Sequence, residues 1–265
     1  MQKELVSIIM PTYNSSKYVA ESIESIQRQT YSNWELVITD DYSNDETRRI
    51  ISEFAANDKR IKLFQMPRNF GAGDSRNNSI KQARGRYIAF CDSDDCWMAE
   101  KLEKQIKFMQ DNNYILTFSS YLVRNENNEI TGIVKAPKSL TLSQLKKDNK
   151  IGCLTAIYDT KPYGKFYMST LRKRQDWALF LNILKKGDKA YSISEPLAYY
   201  RVRNNSISQK KIELIKYNVK VYIEVFGYSK AKAYAYFYAF FMPTYIIKQI
   251  KNHIDSKLLL KSMNK

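Results

Sequence analysis

Residues Tyr87–Met98 read Tyr-Ile-Ala-Phe-Cys-Asp-Ser-Asp-Asp-Cys-Trp-Met, and this stretch decides the fold. Its first residues are apolar, which is typical of a strand that is buried on both faces. Asp92, Asp94 and Asp95 follow at once, and carboxylates cannot stay ionised in an apolar interior without partners. We therefore expect them where the strand ends, at the edge of an open α/β sheet where ligands bind.

The three carboxylates allow two interpretations. Carboxylates this close in sequence repel one another, and a hard divalent cation relieves the repulsion by taking their oxygens as ligands. Alternatively, they form an acidic turn that caps the next helix. The stretch by itself leaves both open, so its surroundings must decide.

Strands and helices alternate before this stretch. The predicted strands are Val6–Met10, Glu35–Thr39 and Ile61–Gln65, and the predicted helices are one capped by Ser16 with Val19, Ile23 and Ile26 on one face, then Thr47–Asn57 and Asp74–Ala83. Such alternation predicts a parallel, doubly wound sheet with right-handed crossovers. No Gly-x-Gly-x-x-Gly follows the first strand, which disfavours a dinucleotide-binding enzyme.

The pattern changes after a predicted helix at Glu100–Asn112. Two apolar runs, Ile115–Val123 and Ile130–Val134, flank a polar segment and predict an antiparallel hairpin, so the sheet becomes mixed. The remaining predicted elements are a strand at Ile151–Tyr158, a helix at Asp176–Lys186 and a strand at Leu197–Val202.

Composition limits the classes of protein. The 265 residues carry a net charge of +16, which indicates a polyanionic partner: nucleic acid, an anionic membrane or a phosphorylated substrate. Three cysteines argue against a disulfide framework and fit a reducing cytoplasm. The apolar run near the N-terminus is too short for a signal peptide, so nothing in it directs export.

Three polar clusters follow predicted strands: Pro11–Asn14, Asp40–Asp45 and Asp92–Asp95. The carboxyl ends of parallel strands share one edge, so we expect the clusters to form a single site. Asp40 and Asp41 could serve only as a turn and a helix cap. A carboxylate at this edge could also accept a hydrogen bond from a nucleobase N–H, with Tyr13 against the ring.

Four ordered segments carry a resemblance to a known family. They are Ser7–Asn14, Asp40–Thr47, Arg76-Asn77 with Gly85 and Tyr87, and Asp92–Asp95. Together they resemble the family-2 inverting nucleotide-sugar glycosyltransferases with the GT-A fold. The resemblance covers residues 4–110 well, reaches about residue 208 through Arg174–Trp177 and Tyr199–Arg201, and does not cover the rest.

The resemblance implies an α/β fold of GT-A type: a Rossmann-like mixed sheet flanked by helices, with a C-terminal helical extension. Residues 1–206 would form the catalytic domain, with a nucleotide-sugar-binding half at 1–112 and an acceptor half at 113–206. Residues 207–265 would form a basic, aromatic extension. Specificity would lie in the loops at residues 66–78 and 135–175.

The resemblance also implies roles for residues. Those that would bind the nucleotide sugar are Pro11, Thr12, Tyr13, Asp41, Arg76, Asp92, Ser93, Asp95, Arg201 and Arg203. Asp94 and Asp92 would hold Mn²⁺ or Mg²⁺ on the diphosphate. Asp176 matches the catalytic base, although an acidic residue in the first turn of a helix is favourable to the helix dipole in any case.

One position departs from the family. Related enzymes often have a histidine soon after their Tyr-Arg pair, where it can complete the metal site, whereas this chain continues from Arg201 to Val202 and Arg203. A guanidinium cannot ligate a metal at neutral pH, so the cation would be held by few protein ligands. Arg201 or Arg203 could instead pair with the diphosphate. The alternative is a solvated basic loop.

The C-terminal stretch is basic and aromatic. Residues 207–265 hold eleven lysines against three acidic residues, which gives a net charge of +8. Ala233–Ile247 has no charge but is shorter than the roughly 20 residues that span a bilayer. It suits the headgroup interface of an anionic membrane, or packing on the catalytic domain, or both.

The sequence thus predicts a cytoplasmic enzyme, peripheral on the inner face of the cell membrane, that moves a sugar from a nucleotide diphosphate, uridine-based by preference. The acceptor would be a glycan or a lipid-linked glycan of surface polysaccharide synthesis. Two alternatives are a nucleic-acid-binding protein and a catalytically silent scaffold of the same fold. Acidic clusters at one edge would repel nucleic acid phosphates, so we expect no nucleic acid partner.

Overall fold

The structure is a computed structural model that describes residues 4–187, 189–203 and 211–263. Its strands are β1 (Val6–Thr12), β2 (Trp34–Asp40), β3 (Ile61–Gln65), β4 (Tyr87–Phe90), β5 (Cys96–Trp97), β6 (Leu116–Arg124), β7 (Ile130–Val134), β8 (Ser139–Thr141), β9 (Ile157–Asp159) and β10 (Lys189–Arg201). Its α-helices are α1 (Val19–Gln27), α2 (Thr47–Asn57), α3 (Ala72–Gln82), α4 (Lys101–Asn112), α5 (Leu142–Lys147), α6 (Gln175–Leu184), α7 (Lys211–Phe226), α8 (Lys230–Tyr236) and α9 (Met242–Met263).

The strands form one mixed sheet in the order β3-β2-β1-β4-β9-β6-β10-β5. The first four strands are parallel, which is the doubly wound half that the alternating pattern predicts. β9 runs antiparallel to both of its neighbours, and the predicted hairpin forms between β6 and β7. The predicted α/β fold with a mixed sheet is therefore confirmed.

The register of the central strands brings the polar clusters to one edge. Every residue of β1 and β2 is buried, as expected for strands covered on both faces. Thr12 at the end of β1 lies opposite Asp40 at the end of β2, and Ile9 lies opposite Phe90 at the end of β4. The carboxyl ends of the three strands consequently share the edge where the sequence predicts a site.

Several predicted elements are corrected by the structure. Ser16 does not cap α1, because Tyr18 occupies the cap position and the Ser16 amide donates to Asp45. The predicted strand Ile151–Tyr158 shortens to β9, because Cys153–Thr155 form a 3₁₀ turn closed by the Thr155 amide on the Gly152 carbonyl. The short elements β5, β8 and α5 were not predicted, since each spans too few residues to show a period.

The C-terminal helices share a hydrophobic core with α6. Trp177 of α6 is fully buried, and its ring packs against Tyr222 of α7 at 5.6 Å and against Phe241 at 5.4 Å between centroids. Phe241 belongs to a π-helical segment, Phe237–Phe241, that joins α8 to α9. Of the two alternatives for the C-terminal stretch, packing on the catalytic domain is therefore present.

Helix α9 lies along β7 through specific polar contacts. The amide of Ile133 donates to Ser256 Oγ at 3.1 Å, and Lys135 pairs with Asp255 at 2.9 Å. A Cβ at Gly132 would lie 2.4 Å from Ser256 Oγ, so the glycine permits this close approach. Across the described ranges, no helix combines the length and the apolar character needed to cross a membrane.

Candidate active site

The ends of β1 and β2 present different groups at the shared edge. Thr12 is buried, and its hydroxyl has no hydrogen-bond partner among the residues that the structure describes. The following residue, Tyr13, is 48% exposed. Asn14 adopts a left-handed conformation with φ 46°, which turns the chain immediately after Tyr13. Pro11 is buried within β1, whereas Tyr13 and Asn14 are exposed to solvent.

The two adjacent aspartates have different partners. Asp40 is fully buried, and its Oδ2 accepts from the Ser43 amide at 2.9 Å, so it closes a turn as one alternative proposed. Asp41 Oδ1 accepts from the Phe70 amide at 2.8 Å and its Oδ2 from the Gly71 amide at 2.7 Å. Since a carboxylate offers about four lone-pair positions, Asp41 retains acceptor capacity for a ligand.

Asp92 and Ser93 are joined to neighbouring elements. Arg76 of α3 is buried, and its Nη2 lies 2.5 Å from Asp92 Oδ1. The Ser93 hydroxyl donates to the Ser15 hydroxyl at 2.8 Å. Two residues predicted to bind the donor, Arg76 and Asp92, are therefore in direct contact although 16 positions separate them.

Asp94 and Asp95 meet the end of β10. Arg203 Nε lies 2.9 Å from Asp94 Oδ2, and the Arg201 amide donates to Asp95 Oδ1 at 3.0 Å. Burial raises the pKa of both carboxyls, and neighbouring aspartates raise it further, whereas Arg203 opposes the shift at Asp94. A divalent cation would favour the ionised forms, since positive charge stabilises a carboxylate.

The side chain of Arg201 is used inside the protein. It is buried, its Nη2 pairs with Glu21 and its Nη1 donates to Asn128 at 2.7 Å, while its Nε donates to the Asp94 carbonyl at 3.1 Å. Arg203 is more exposed and faces the Asp94 carboxylate. The predicted contact of either arginine with a diphosphate stays a prediction, and the geometry favours Arg203.

The carboxylates suit a cation that is shared with a substrate. Within residues 4–187, 189–203 and 211–263, no three His, Cys, Asp or Glu side chains converge to hold a metal ion by themselves. Asp92 and Asp94 offer partly exposed carboxylates, with 34% and 17% of the side chain accessible. Oxygen ligands suit Mg²⁺ and Mn²⁺, and Mg²⁺ commonly binds through one or two carboxylates plus substrate phosphates. The residues present therefore fit such an ion.

Asp176 lies on α6, within electrostatic reach of the same edge. It lies in the first turn of α6, and its Oδ2 accepts from Asn149 Nδ2 at 3.0 Å. The charges of Asp92 and Asp176 both act on the guanidinium of Arg76. The start of α6 also touches α3, since a Cβ at Gly73 would lie 2.4 Å from the side-chain nitrogen of the residue before Asp176.

A polar pocket of about 230 Å³ lies at the start of α6, where Gln175 lines it. It is lined by residues from both loops that were predicted to carry specificity, among them Asn69, Phe70, Asp74, Thr170, Arg172 and Gln175. Phe70 also donates its amide to Asp41, so the pocket adjoins the residue predicted to bind the base.

Three residues of the site were missed at the level of sequence. Asn149 lies in a polar segment after α5 and carries no motif, and Glu21 of α1 and Arg124 of β6 look like ordinary surface charges. In the structure Glu21 pairs with Arg124 at 2.7 Å as well as with Arg201. The position of Glu21 in the sequence does not indicate these pairs, because both arginines lie more than 100 residues away along the chain.

Comparison with known proteins identifies the class. Residues 7–180 match the family described as Glycosyl transferase family 2, and the chain belongs to this family. The protein is a family-2 glycosyltransferase, which confirms the resemblance of the four ordered segments.

Two curated relatives are similar over most of their length. TuaG of Bacillus subtilis, whose name assigns it to teichuronic acid biosynthesis, is 41% identical over 84% of this chain and 89% of its own. WfgD of Escherichia coli is named as a UDP-Glc:alpha-D-GlcNAc-diphosphoundecaprenol beta-1,3-glucosyltransferase. It is 39% identical over 96% of each chain.

Solved structures show the same fold. Residues 1–349 of TarS from S. aureus, in complex with UDP-GlcNAc, superpose with a TM-score of 0.67 at 22% identity, over 86% of this chain and 69% of that one. The mannosyltransferase PcManGT from Pyrobaculum calidifontis, in complex with GDP-Man and Mn²⁺, gives 0.67 at 17% identity over 86% and 66%. The GT-A fold is thereby established for this chain.

Proposed function

We propose that the protein transfers a sugar from a UDP donor to a lipid-linked glycan acceptor, with inversion, in surface polysaccharide synthesis. The observation that carries the proposal is that Asp92, which pairs with Arg76, and Asp176 both act electrostatically on the Arg76 guanidinium, because a base and a diphosphate site must adjoin for direct transfer. The names of the relatives from Bacillus subtilis and Escherichia coli support the glycan and the diphosphate-lipid acceptor.

The donor would bind across the edge from β2 to β4. Tyr13 would lie against the base, Asp41 would accept its N–H, and Thr12 offers a buried hydroxyl that lacks a partner among the described residues. Asp92 and Asp94 would hold Mn²⁺ or Mg²⁺, with Ser93 and Asp95 supporting their loop. When bound, the cation would offset negative charge on the departing diphosphate.

Asp176 would take the proton from the acceptor hydroxyl as that oxygen attacks the anomeric carbon and the bond to the diphosphate breaks. Its place in the first turn of α6 sets the carboxylate beside the partial positive charge of the helix N-terminus. Arg76 adds a buried positive charge nearby. The pocket lined by Asn69 and Arg172 would hold part of the sugar or of the acceptor.

The donor site is tested by calorimetric titration with UDP, with and without Mn²⁺ or Mg²⁺. We expect binding that strengthens with the metal and is lost in Asp94→Ala. The control is Asp111→Asn, which removes an exposed carboxylate that pairs with the exposed Lys107 of the same helix, α4. Tight binding of GDP or dTDP with none of UDP would refute the uridine donor.

The base is tested by transfer from UDP-sugars to a synthetic diphosphate-linked GlcNAc acceptor. Asp176→Asn should lower the transfer rate by about 10²–10⁴-fold, the usual contribution of a general base, while UDP still binds. Asp111→Asn again serves as the control. Transfer by Asp176→Asn within a few-fold of the parent would exclude Asp176 as the base.

We also propose that the enzyme docks on the inner face of the cell membrane through residues 207–265. The side of α9 that faces away from β7 carries an exposed row of aliphatic residues at helical spacing. They are Ile246, Ile247, Ile250, Ile254 and Leu258. The row reaches beyond the segment Ala233–Ile247 to which the sequence pointed. The exposed Lys257 and Lys261 lie on the same side, as suits an anionic headgroup layer.

Flotation with vesicles that contain anionic phospholipid tests this docking. Ile250→Glu should lower the bound fraction at least several-fold, because it places a charge in the aliphatic row. Gln249→Glu adds the same charge beside the row and is the matched control. Equal flotation of both variants and the parent would refute docking through this face.

A further inference from the structure

The side-chain amide of Asn149 has a defined orientation beside Asp176. Its Oδ1 accepts from the Ile151 amide at 3.3 Å, so its Nδ2 must be the atom that faces Asp176 Oδ2, at 3.0 Å. A donor at this position holds one carboxylate oxygen and leaves the other to act on a ligand. The mechanism above does not use Asn149.

The backbone at Asn149 is held by the C-terminal helix. Lys248 of α9 places its Nζ 2.8 Å from the Asn149 carbonyl and 2.8 Å from Asp148 Oδ1. Asp148 is only 1% exposed. Burial raises the pKa of Asp148 and lowers the pKa of Lys248, while each charge favours the ionised form of the other. The pair is therefore a buried anchor.

Helix α9 is itself held on the sheet. Ser256 accepts from the Ile133 amide of β7, and Asp255 pairs with Lys135, as described above. A continuous set of contacts consequently leads from β7 through α9 and Lys248 to Asn149 and then to Asp176. Catalytic groups need such support, because a displacement of about 1 Å can cost about 10²-fold in rate.

We propose that Asn149 is a positioning residue for Asp176, and that Lys248 of α9 keeps Asn149 in place. The C-terminal helix α9 then supports the active site in addition to docking on the membrane. The proposal rests on the role of Asp176 given above. It assigns to Asn149 and Lys248 a role that acts on kcat and leaves donor binding unchanged.

The first test uses Asn149→Asp, which keeps the shape of the side chain and replaces the donor by an acceptor. Transfer to a short-chain, water-soluble acceptor avoids any effect of membrane docking. We expect kcat to fall by about 10²-fold, with the donor KM and UDP affinity within two-fold of the parent. A kcat within two-fold of the parent, or an equal loss of UDP affinity, would overturn the proposal.

The second test uses the anchor. Lys248→Met should lower kcat in the same assay, and Lys248→Arg should restore most of it because it keeps the charge and a donor. Lys251→Met removes an exposed lysine of the same helix and should have no effect. If Lys248→Met fails to fold, the Asn149 variant still decides the proposal.

A double-mutant cycle separates this proposal from the role of Asp176. If Asn149 acts through Asp176, adding Asn149→Asp to Asp176→Asn should cause little further loss. Effects that multiply would show that Asn149 acts elsewhere. If Asp176→Asn is inactive while Asn149→Asp is fully active, only the positioning role of Asn149 is refuted. If Asp176→Asn is active, the role of Asp176 as the general base is refuted.

Discussion

Lys101 of α4 is a buried lysine with neutral partners, and it predicts how stability changes with pH. Its Nζ donates to Gln105 Oε1 at 2.8 Å and to the Thr155 carbonyl at 3.4 Å, and it lies 4.4 Å from the centre of the Trp97 ring. The side chain is fully buried. Burial lowers the pKa of Lys101 from 10.5 to about 7.

The sign and size of the effect follow from this pKa. Between pH 7 and 10 the unfolded chain binds the Lys101 proton and the native chain does not, so the free energy of unfolding rises with pH. The slope is about 1.4 kcal/mol per pH unit. The destabilisation by Lys101 is absent above pH 10.5, where the amine is neutral in both states, and it grows to about 4 to 5 kcal/mol as the pH falls to 7.

Lys101→Met keeps the length of the side chain and removes the titration. It leaves Gln105 Oε1 unpaired, at about 1 to 3 kcal/mol, whereas the Thr155 carbonyl still accepts from Gln105 Nε2 at 2.9 Å. At pH 7 the removal of the buried amine outweighs this loss, so we expect a variant more stable than the parent by about 1 to 3 kcal/mol. Between pH 7 and 9 the free energy of unfolding of the parent should rise by about 2 to 3 kcal/mol relative to that of the variant.

Urea denaturation at pH 7, 8 and 9 measures this difference. Lys107→Met, which changes an exposed lysine of the same helix, is the matched control and should run parallel to the parent at all three values. A gap between parent and Lys101→Met that stays constant within about 0.5 kcal/mol would refute the account, because it would mean that Lys101 is charged in both states.

Three further changes should alter stability, each measurable by thermal or urea unfolding. Gly85→Ala should cost about 1 to 3 kcal/mol, because its Cβ would lie 2.7 Å from the backbone nitrogen of Ser7 in β1; an unchanged midpoint would contradict this. Glu21→Gln should cost about 3 kcal/mol, since it leaves the buried Arg201 without its carboxylate partner; an effect below 1 kcal/mol would show that the arginine finds another. Trp177→Phe should cost about 1 to 3 kcal/mol, as it removes a buried indole hydrogen bond of 2.9 Å; a neutral result would mean that water replaces it.

The edge of the site could be predicted from sequence because it follows from local patterns. Apolar runs such as the one at Ile88 mark strands buried on both faces, and polar residues at once after them must lie at the strand ends. Parallel pairing then brings Thr12, Asp40 and Asp92 to one edge without further information. The helix that carries Asp176 was likewise visible from its apolar spacing.

The distinct tasks of similar residues could not be predicted. Asp40 and Asp41 are adjacent and chemically identical, yet one closes its own turn and the other binds the amides of a loop 29 and 30 residues away. Arg201 and Arg203 differ in the same way: Arg201, the last residue of β10, pairs with Glu21, whereas Arg203, beyond the end of the strand, faces Asp94. These differences depend on which loops approach each side chain in the folded protein, and the pattern of residues along the sequence does not encode that.

The sequence by itself determined the alternating architecture, the edge that carries the polar clusters and the family, because strand burial and helical spacing are properties of neighbouring residues. Only the tertiary structure decided that Lys248 reaches Asn149 across 99 positions and that Asn149 reaches Asp176 across 27. Such contacts arise when α9 and α6 pack on the same sheet. Their hydrogen-bond partners are selected by the distances that packing sets, and those distances leave no period or motif in the chain.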